Sequence, residues 1–239
     1  MDDNQINKFV SNVLGSAGKL YYKGVFTIDE ISSPNLLIKD FNKNYCFAFI
    51  FNNLSRNSPA SEIGHWLSCM ILFNVNNKTL ILRFFDSYGN QYIQYGKPLK
   101  SYIDNIKLLC LSNRITYVYD SMIHGIQPYN TMHCGIYACY FVIHMFYKPF
   151  RKVEMLFSKN GISYKNKVKN NRIMDTYLKK SWPNNFCKEN LYQIKIPLNY
   201  FFYKYNTNEI GICPKKTYGA SKCFKKCMCN YKVKNKKKC

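Results

Sequence analysis

The segment from Cys134 to Tyr147, CGIYACYFVIHMFY, is almost wholly apolar on every side. A helix without a polar face has to sit inside a protein, so the rest of the chain must be built around it. A polar, turn-rich loop beginning QPYNTMH at Gln127 leads into this segment. The pattern therefore predicts a central buried helix with a cysteine at its first position. Two readings of Cys134 follow. It is a small core residue that happens to start a helix, or it is a nucleophile favoured as thiolate by the positive end of the helix dipole.

Other elements can be read around that helix. Ile6, Phe9, Val10, Val13 and Leu14 have helical spacing between Asp3 and Gly15. Cys46–Phe51 (CFAFIF) reads as a buried strand. Trp66–Val75 and Thr79–Phe85 are apolar runs separated by Asn76, Asn77 and Lys78, which is a hairpin signal. The run DSYG, Asp86–Gly89, ends the second strand in a turn. Leu99, Tyr102, Ile103, Ile106 and Leu109 or Cys110 repeat at helical period after Pro98, and Ile115–Tyr119 reads as a further strand. The expected class is α+β, a mainly antiparallel or mixed sheet packed on the central helix. From about Ser158 onward polarity and Lys content rise, and KNGISYKNKVKNNRI reads as an exposed loop or a weakly helical surface.

Composition narrows the partners. With 239 residues and 47% hydrophobic content, the chain has enough apolar material for a core. Its formal charge of +22 points to a polyanion such as DNA. Only five of the 35 basic residues are Arg. The accompanying abundance of Asn, Ile and Tyr matches an AT-rich coding bias, which raises Lys content without selection for binding. The N-terminal MDDNQINKFV does not read as a signal peptide, and no apolar run reaches the roughly 18 residues of a membrane span. The 11 cysteines, an odd number, are expected to be mostly reduced thiols in an intracellular setting.

For Cys134 to act it needs a base, and the chain has four histidines, His65, His124, His133 and His144. His144 is ten residues along the helix from the thiol, too far to reach it. His133 is adjacent in sequence, where side chains diverge, and His124 has no evident orienting partner. His65 opens one strand of the hairpin and Asp86 closes the other. Folding about Asn76-Asn77 brings them to the same edge, where Asp86 can hold the imidazole in one tautomer. A single histidine is more often structural than catalytic, so this pair alone decides little. Gln127, on the loop before Cys134, carries an amide able to donate to a developing oxyanion, with the Cys134 backbone N–H as a second donor. A loop glutamine is ordinarily just solvated; the combination of four carries the weight.

That combination is recognisable. GHW (Gly64–Trp66), FFDSYG (Phe84–Gly89) and QPYNTMHCG (Gln127–Gly135), in this order, resemble the adenovirus endopeptidase (adenain) family of cysteine proteases. INKFVSNVLGSAGKLYYKGVFTID resembles the family's opening helix and the segment after it, and the likeness extends to about Cys187. It implies a papain-like, adenain-like protease domain over residues 1–205, with Cys134 as nucleophile and His65 as base. Asp86 would stand where a Glu is also found in the family and orient the imidazole. Gln127 and the Cys134 N–H would form the oxyanion hole, and Trp66 would pack beside the site.

The resemblance further implies a viral endopeptidase that matures virion precursor proteins at sites with small residues, often Gly. Such an enzyme would act as a monomer in the virion and the host-cell interior, the nucleus included. No cofactor is needed for its chemistry, but DNA and a short basic viral peptide would activate it. In adenain a disulfide tethers that peptide; Thr116 stands at the matching position here and Cys110 is not equivalent, so a covalent tether is not supported. An alternative is a protease specific for SUMO or ubiquitin-like proteins, in which the Gln-to-Cys stretch is typically a residue shorter. A further alternative, of another class, is a catalytically idle basic DNA-binding or packaging protein.

Residues 206–239 read as a separate basic, Cys-rich tail. From Cys213 to Cys239 the tail carries ten Lys and no acidic residue, a composition that attracts phosphate without sequence preference. Its cysteines, Cys213, Cys223, Cys227, Cys229 and Cys239, contain no C-x-x-C pair and no accompanying His, which is a weak zinc signal. Cys46, Cys69, Cys110 and Cys139 read as small core residues.

Overall fold

A computed structural model describes residues 1–181 apart from 33–35, 37, 39, 60 and 61, so the expected tail lies outside the described residues. In chain order the elements are α1 (Asp3–Leu14), β1 (Tyr22–Thr27), β2 (Tyr45–Asn52), β3 (Trp66–Asn74), β4 (Thr79–Phe85), α2 (Lys97–Ser112), β5 (Thr116–Ser121), α3 (Cys134–Tyr147), α4 (Val153–Ser158) and α5 (Lys167–Ser181). The class is α+β, as the sequence pattern implies.

The five strands form one mixed sheet in sequence order. The three central strands, β2, β3 and β4, pair antiparallel. β1 runs parallel to β2, and β5 parallel to β4. A parallel pair needs a crossover, and α2 supplies it between β4 and β5. The sheet is thus mixed, as expected, with the antiparallel pairing at its centre and the parallel pairs at its edges. β1 has no counterpart among the strands read from sequence. It is an edge strand of mixed exposure.

Side chains alternate across the sheet with a period of two. Cys46, Ala48 and Ile50 of β2 and Met70 and Leu72 of β3 face a core shared with α1, α3, α4 and Met174 of α5. Phe47, Phe49, Phe51, Leu67, Cys69, Ile71 and Phe73 point the other way, into a core closed by α2 and by Ile28, Ile31, Leu36 and Ile38 of the connection before β2. Helical cover on both faces explains why β2, β3 and β4 are apolar runs without polar alternation. α3 lies against β3, with the Ser68 hydroxyl donating to the Ala138 carbonyl at 3.4 Å. Twelve of its 14 residues are buried, as its all-round apolarity demands.

The run after Ser158 differs from the sequence reading. Residues Lys167–Ser181 form a full helix, α5, whose buried positions are Asn170, Asn171 and Met174. Its contact face combines these buried amides with Ile173, Met174, Tyr177 and Leu178 packed on the core, an apolar set that lies mostly beyond the stretch read from sequence.

One buried charge pair ties the sheet together. Arg83 of β4 is only 3% exposed and donates from Nε to Asp120 Oδ2 at 3.1 Å across the parallel β4–β5 ladder. The Val153 N–H donates to the same oxygen, anchoring the start of α4. Asp120→Ala is expected to cost about 3–5 kcal/mol, because it strands the guanidinium in the core. Chemical denaturation measures this, and the double change Asp120→Ala/Arg83→Leu should recover most of the loss. A cost below about 1 kcal/mol for the single change would contradict it.

Among the described residues no helix is long and apolar enough to cross a membrane. The five described cysteines are free and buried.

Candidate active site

His65 immediately precedes β3, and Asp86 immediately follows β4. The hairpin ladder ends at Ser68 opposite Phe85, so the chain just beyond it sets these two residues side by side. Two bonds to Asn53 hold the His65 backbone: its N–H donates to Asn53 Oδ1 at 2.6 Å, and its carbonyl accepts from the Asn53 N–H at 3.0 Å. The side-chain bond read from the hairpin is present: His65 Nε2 and Asp86 Oδ1 are 2.6 Å apart. Both groups are buried, with the Asp86 side chain fully so. Since the carboxylate can only accept, Nε2 carries the proton and Nδ1 is the nitrogen left to serve the thiol.

Asp86 is a fully satisfied carboxylate. Oδ1 also accepts from the Tyr88 N–H at 2.8 Å, and Oδ2 accepts from the Asn90 N–H at 2.9 Å and the Tyr95 hydroxyl at 2.6 Å. The Tyr88 ring stacks on the imidazole, with centroids 4.4 Å apart and planes 18° from parallel. Tyr88, Asn90 and Tyr95 are supporting residues that the sequence reading missed. The spacing of DSYGN hints at the two backbone donors, but nothing local signals Tyr95.

Cys134 opens α3 and lies close enough to His65 for each to shift the other's titration. Burial by itself pushes the thiol up, but His65 and the backbone N–H groups of Trp66 and Gly135 favour the thiolate and bring it below its ordinary value. Burial likewise pulls His65 down, yet its bond to Asp86 and the nearby Cys134 raise it to about 9. The other described cysteines go the opposite way: burial lifts Cys46 to about 12 and Cys110 to about 11, and pushes Cys69 and Cys139 up as well. A thiolate–imidazolium pair is what this geometry favours. Gly135 permits the close fit behind it, since a Cβ there would lie 3.2 Å from Trp66 Cδ1 and 3.3 Å from Met1 Cβ. Trp66 is held by its indole N–H donating to the Met1 carbonyl at 3.0 Å.

A pH profile follows from the two shifts. The active pair exists above the lowered thiol pKa and below the raised imidazole pKa. Alkylation of Cys134 should therefore begin below the usual thiol range. Any turnover that uses this pair should be bell-shaped and fall as pH rises through about 9, where His65 loses its proton. Turnover that climbs steadily through pH 9 would contradict the ion pair.

The remaining histidines stand apart from the thiol. His144 stacks on Tyr140 in the core, where burial lowers it to about 4. His124 lies against Tyr164, and His133 pairs with Asp175 at 3.0 Å.

Gln127 is fully buried in the loop leading to Cys134. That loop is bound to the Asp86 turn. The Ser87 carbonyl accepts from the Ile126 and Gln127 N–H groups at 2.8 and 3.0 Å, and the Ser87 hydroxyl donates to Gln127 Oε1 at 2.7 Å. Gly89 (φ +80°) and Gly125 let the two segments touch backbone to backbone, with no room for a Cβ on either. One Gln127 amide proton goes to the Thr131 carbonyl at 2.7 Å. The other is shared by Thr131 Oγ1 at 3.2 Å and the Tyr88 hydroxyl at 3.3 Å. Thus His65, Asp86 and Cys134 come together directly, and Gln127 joins them through Tyr88. Among the described residues no cluster of three His, Cys, Asp or Glu side chains forms a metal site.

No protein-family profile matches the chain, and no curated protein sequence matches it significantly. Among solved structures, it is similar to the ASFV pS273R protease at 12% identity, over 68% of this chain and 62% of that one, with a TM-score of 0.37. The Legionella pneumophila effector protein RavZ is similar at 12% identity, over 62% and 57% of the two chains, with a TM-score of 0.36. AvrA delL154 with IP6 and CoA is similar at 12% identity, over 61% and 51%, with a TM-score of 0.32. The chain spans about two fifths to three fifths of the length of the structures it resembles. Likenesses this distant assign no activity, and the functional reading rests on the site itself.

Proposed function

We propose that the chain is a cysteine endopeptidase in which Cys134 attacks a peptide carbonyl, His65 shuttles the proton and Asp86 orients the imidazole. The observation that carries this reading is the buried His65, bonded to Asp86 at 2.6 Å and electrostatically coupled to Cys134 at the start of α3. The thiolate adds to the carbonyl carbon, the C–N bond breaks, and the amine leaves with a proton from His65. Water, deprotonated by the same imidazole, then cleaves the thioester and restores the thiol. The Cys134 N–H is one oxyanion donor. Gln127 is the second, through the proton it now shares between two long bonds at 3.2 and 3.3 Å, which it gives up at low cost.

We further propose that the substrates are viral precursor proteins cut beside small residues, with DNA as a stimulating partner. Support comes from the sequence order His65, Asp86, Gln127, Cys134, from Trp66 directly after the base, and from the charge of +22. The test is a panel of peptides with Gly around the scissile bond, alongside ubiquitin and SUMO fusions, each with and without DNA. Cleavage of the Gly peptides that rises with DNA is expected. Cleavage confined to the fusions would place the chain among deconjugating proteases. DNA binding without any cleavage, with viral basic peptides added, would leave the idle DNA-binding reading.

A further inference from the structure

α5, which the sequence suggests only as a loop or a weakly helical surface, is fastened to the loop that ends in Cys134. Asn170 Nδ2 donates to the Ile126 carbonyl at 2.8 Å, next to Gln127. Asn171 Nδ2 donates to Thr131 Oγ1 at 3.1 Å, and its Oδ1 accepts from the Tyr137 hydroxyl, on the first turn of α3, at 3.0 Å. Asp175 accepts from His133 Nε2 at 3.0 Å. All three side chains come from one face of α5, at positions i, i+1 and i+5. Two of them, Asn170 and Asn171, are buried amides, so the bonds form away from competing water.

Two of these bonds, those to Thr131 and His133, end on residues that hold the groups proposed as oxyanion donors. Thr131 accepts both protons of the Gln127 amide, one at its carbonyl and one at its hydroxyl. The Thr131 hydroxyl itself donates to the Pro128 carbonyl at 3.0 Å, so its position fixes the loop turn. The His133 carbonyl belongs to the same peptide unit as the Cys134 N–H, and it accepts from the Ile136 and Tyr137 N–H groups at 2.9 and 3.1 Å. Holding the His133 side chain therefore holds the plane of the peptide whose N–H faces a developing oxyanion. None of these bonds touches His65 or Asp86.

We infer that α5 sets the oxyanion side of the site: Asn171 and Asp175 are positioning residues that hold the Gln127–Cys134 loop through Thr131 and His133. This rests on the protease reading for its effect on turnover, but not for its effect on the loop. The two halves of the catalytic centre are then supported separately. The β3–β4 hairpin holds the proton-transfer pair, and α5 holds the oxyanion donors.

The test uses full-length Asn171→Asp and Asp175→Ala, with Asp175→Asn as the conservative partner. Asn171→Asp keeps an acceptor for Tyr137 but replaces the donor to Thr131 with a buried carboxylate oxygen one turn from Asp175, while Asp175→Asn retains an acceptor for His133. In Asn171→Asp and Asp175→Ala, kcat is expected to fall about tenfold to a hundredfold, the scale of a 1 Å misplacement, with KM nearly unchanged. Asp175→Asn should recover most of it. Iodoacetamide alkylation of Cys134, which needs no oxyanion hole, should keep its rate and pH profile. Amide hydrogen exchange at Thr131–Gly135 should quicken while that of β3 stays the same, and this holds even for a protein that cleaves nothing. Unchanged exchange in the loop would overturn the inference. So would alkylation falling in step with turnover, since α5 would then support the whole site and not its oxyanion side.

Discussion

His65→Ala is expected to lower turnover by about 10⁴-fold, the upper range for removing a general acid–base group. The more telling result is on the thiol. Burial at Cys134 is outweighed by His65 together with the Trp66 and Gly135 backbone N–H groups. Without His65, burial acts with only the backbone donors against it, and the thiol should move up to or beyond its ordinary range. Iodoacetamide labelling across pH measures this, because only the thiolate reacts. In the native protein labelling should begin below the usual thiol range, and in His65→Ala the profile should shift to higher pH. An identical profile in both proteins would show that His65 does not charge the thiol.

Asp86→Asn carries the second large effect. The native carboxylate accepts four hydrogen bonds, two on each oxygen. An amide can accept only at its one oxygen, so its NH₂ must face donors whichever way it turns. If the NH₂ faces His65, Nε2 has to accept and the ring proton moves to Nδ1, the nitrogen that should take the thiol's proton. If it faces Asn90 and Tyr95, a buried N–H loses its partner. The first outcome misassigns the tautomer, and a loss of about 10⁴-fold in kcat is expected by analogy with the serine-protease triad. The second costs about 1–3 kcal/mol of stability. Steady-state kinetics and a denaturation midpoint on the same variant read both. A loss below about tenfold in kcat would mean that Asp86 does not orient the base.

The His65–Asp86 pair was legible because its two residues flank one hairpin. Asn76, Asn77 and Lys78 mark the turn, and the ladder then determines which strand ends meet. α3 was legible from its all-round apolarity, and α1 from its spacing. Features that depend on contacts distant in sequence were not. β1 is an edge strand whose partner, β2, lies parallel to it beyond a long connection. The cover on both faces of the sheet had a signal in the unbroken apolar runs of β2 and β3, but the identity of the second cover did not. α5 was only partly legible, as a loop or a weakly helical surface, for a different reason. Amide side chains hold it against the loop, and Asn in a polar stretch reads as surface. The same applies to Gln127: its place on the loop could be read, but its bonds to Thr131, Ser87 and Tyr88 could not.

The central claim is that Cys134 is the attacking group of a peptidase, and one measurement tests it most directly. The full-length protein and Cys134→Ala would be incubated with Gly-containing peptides. Cleavage would be followed by chromatography, and acid-quenched protein by intact mass. The account predicts cleavage by the native protein alone and a transient thioester whose mass maps to Cys134. Cleavage that survives in Cys134→Ala, or a native protein that neither cleaves nor forms the adduct with any peptide, would contradict it.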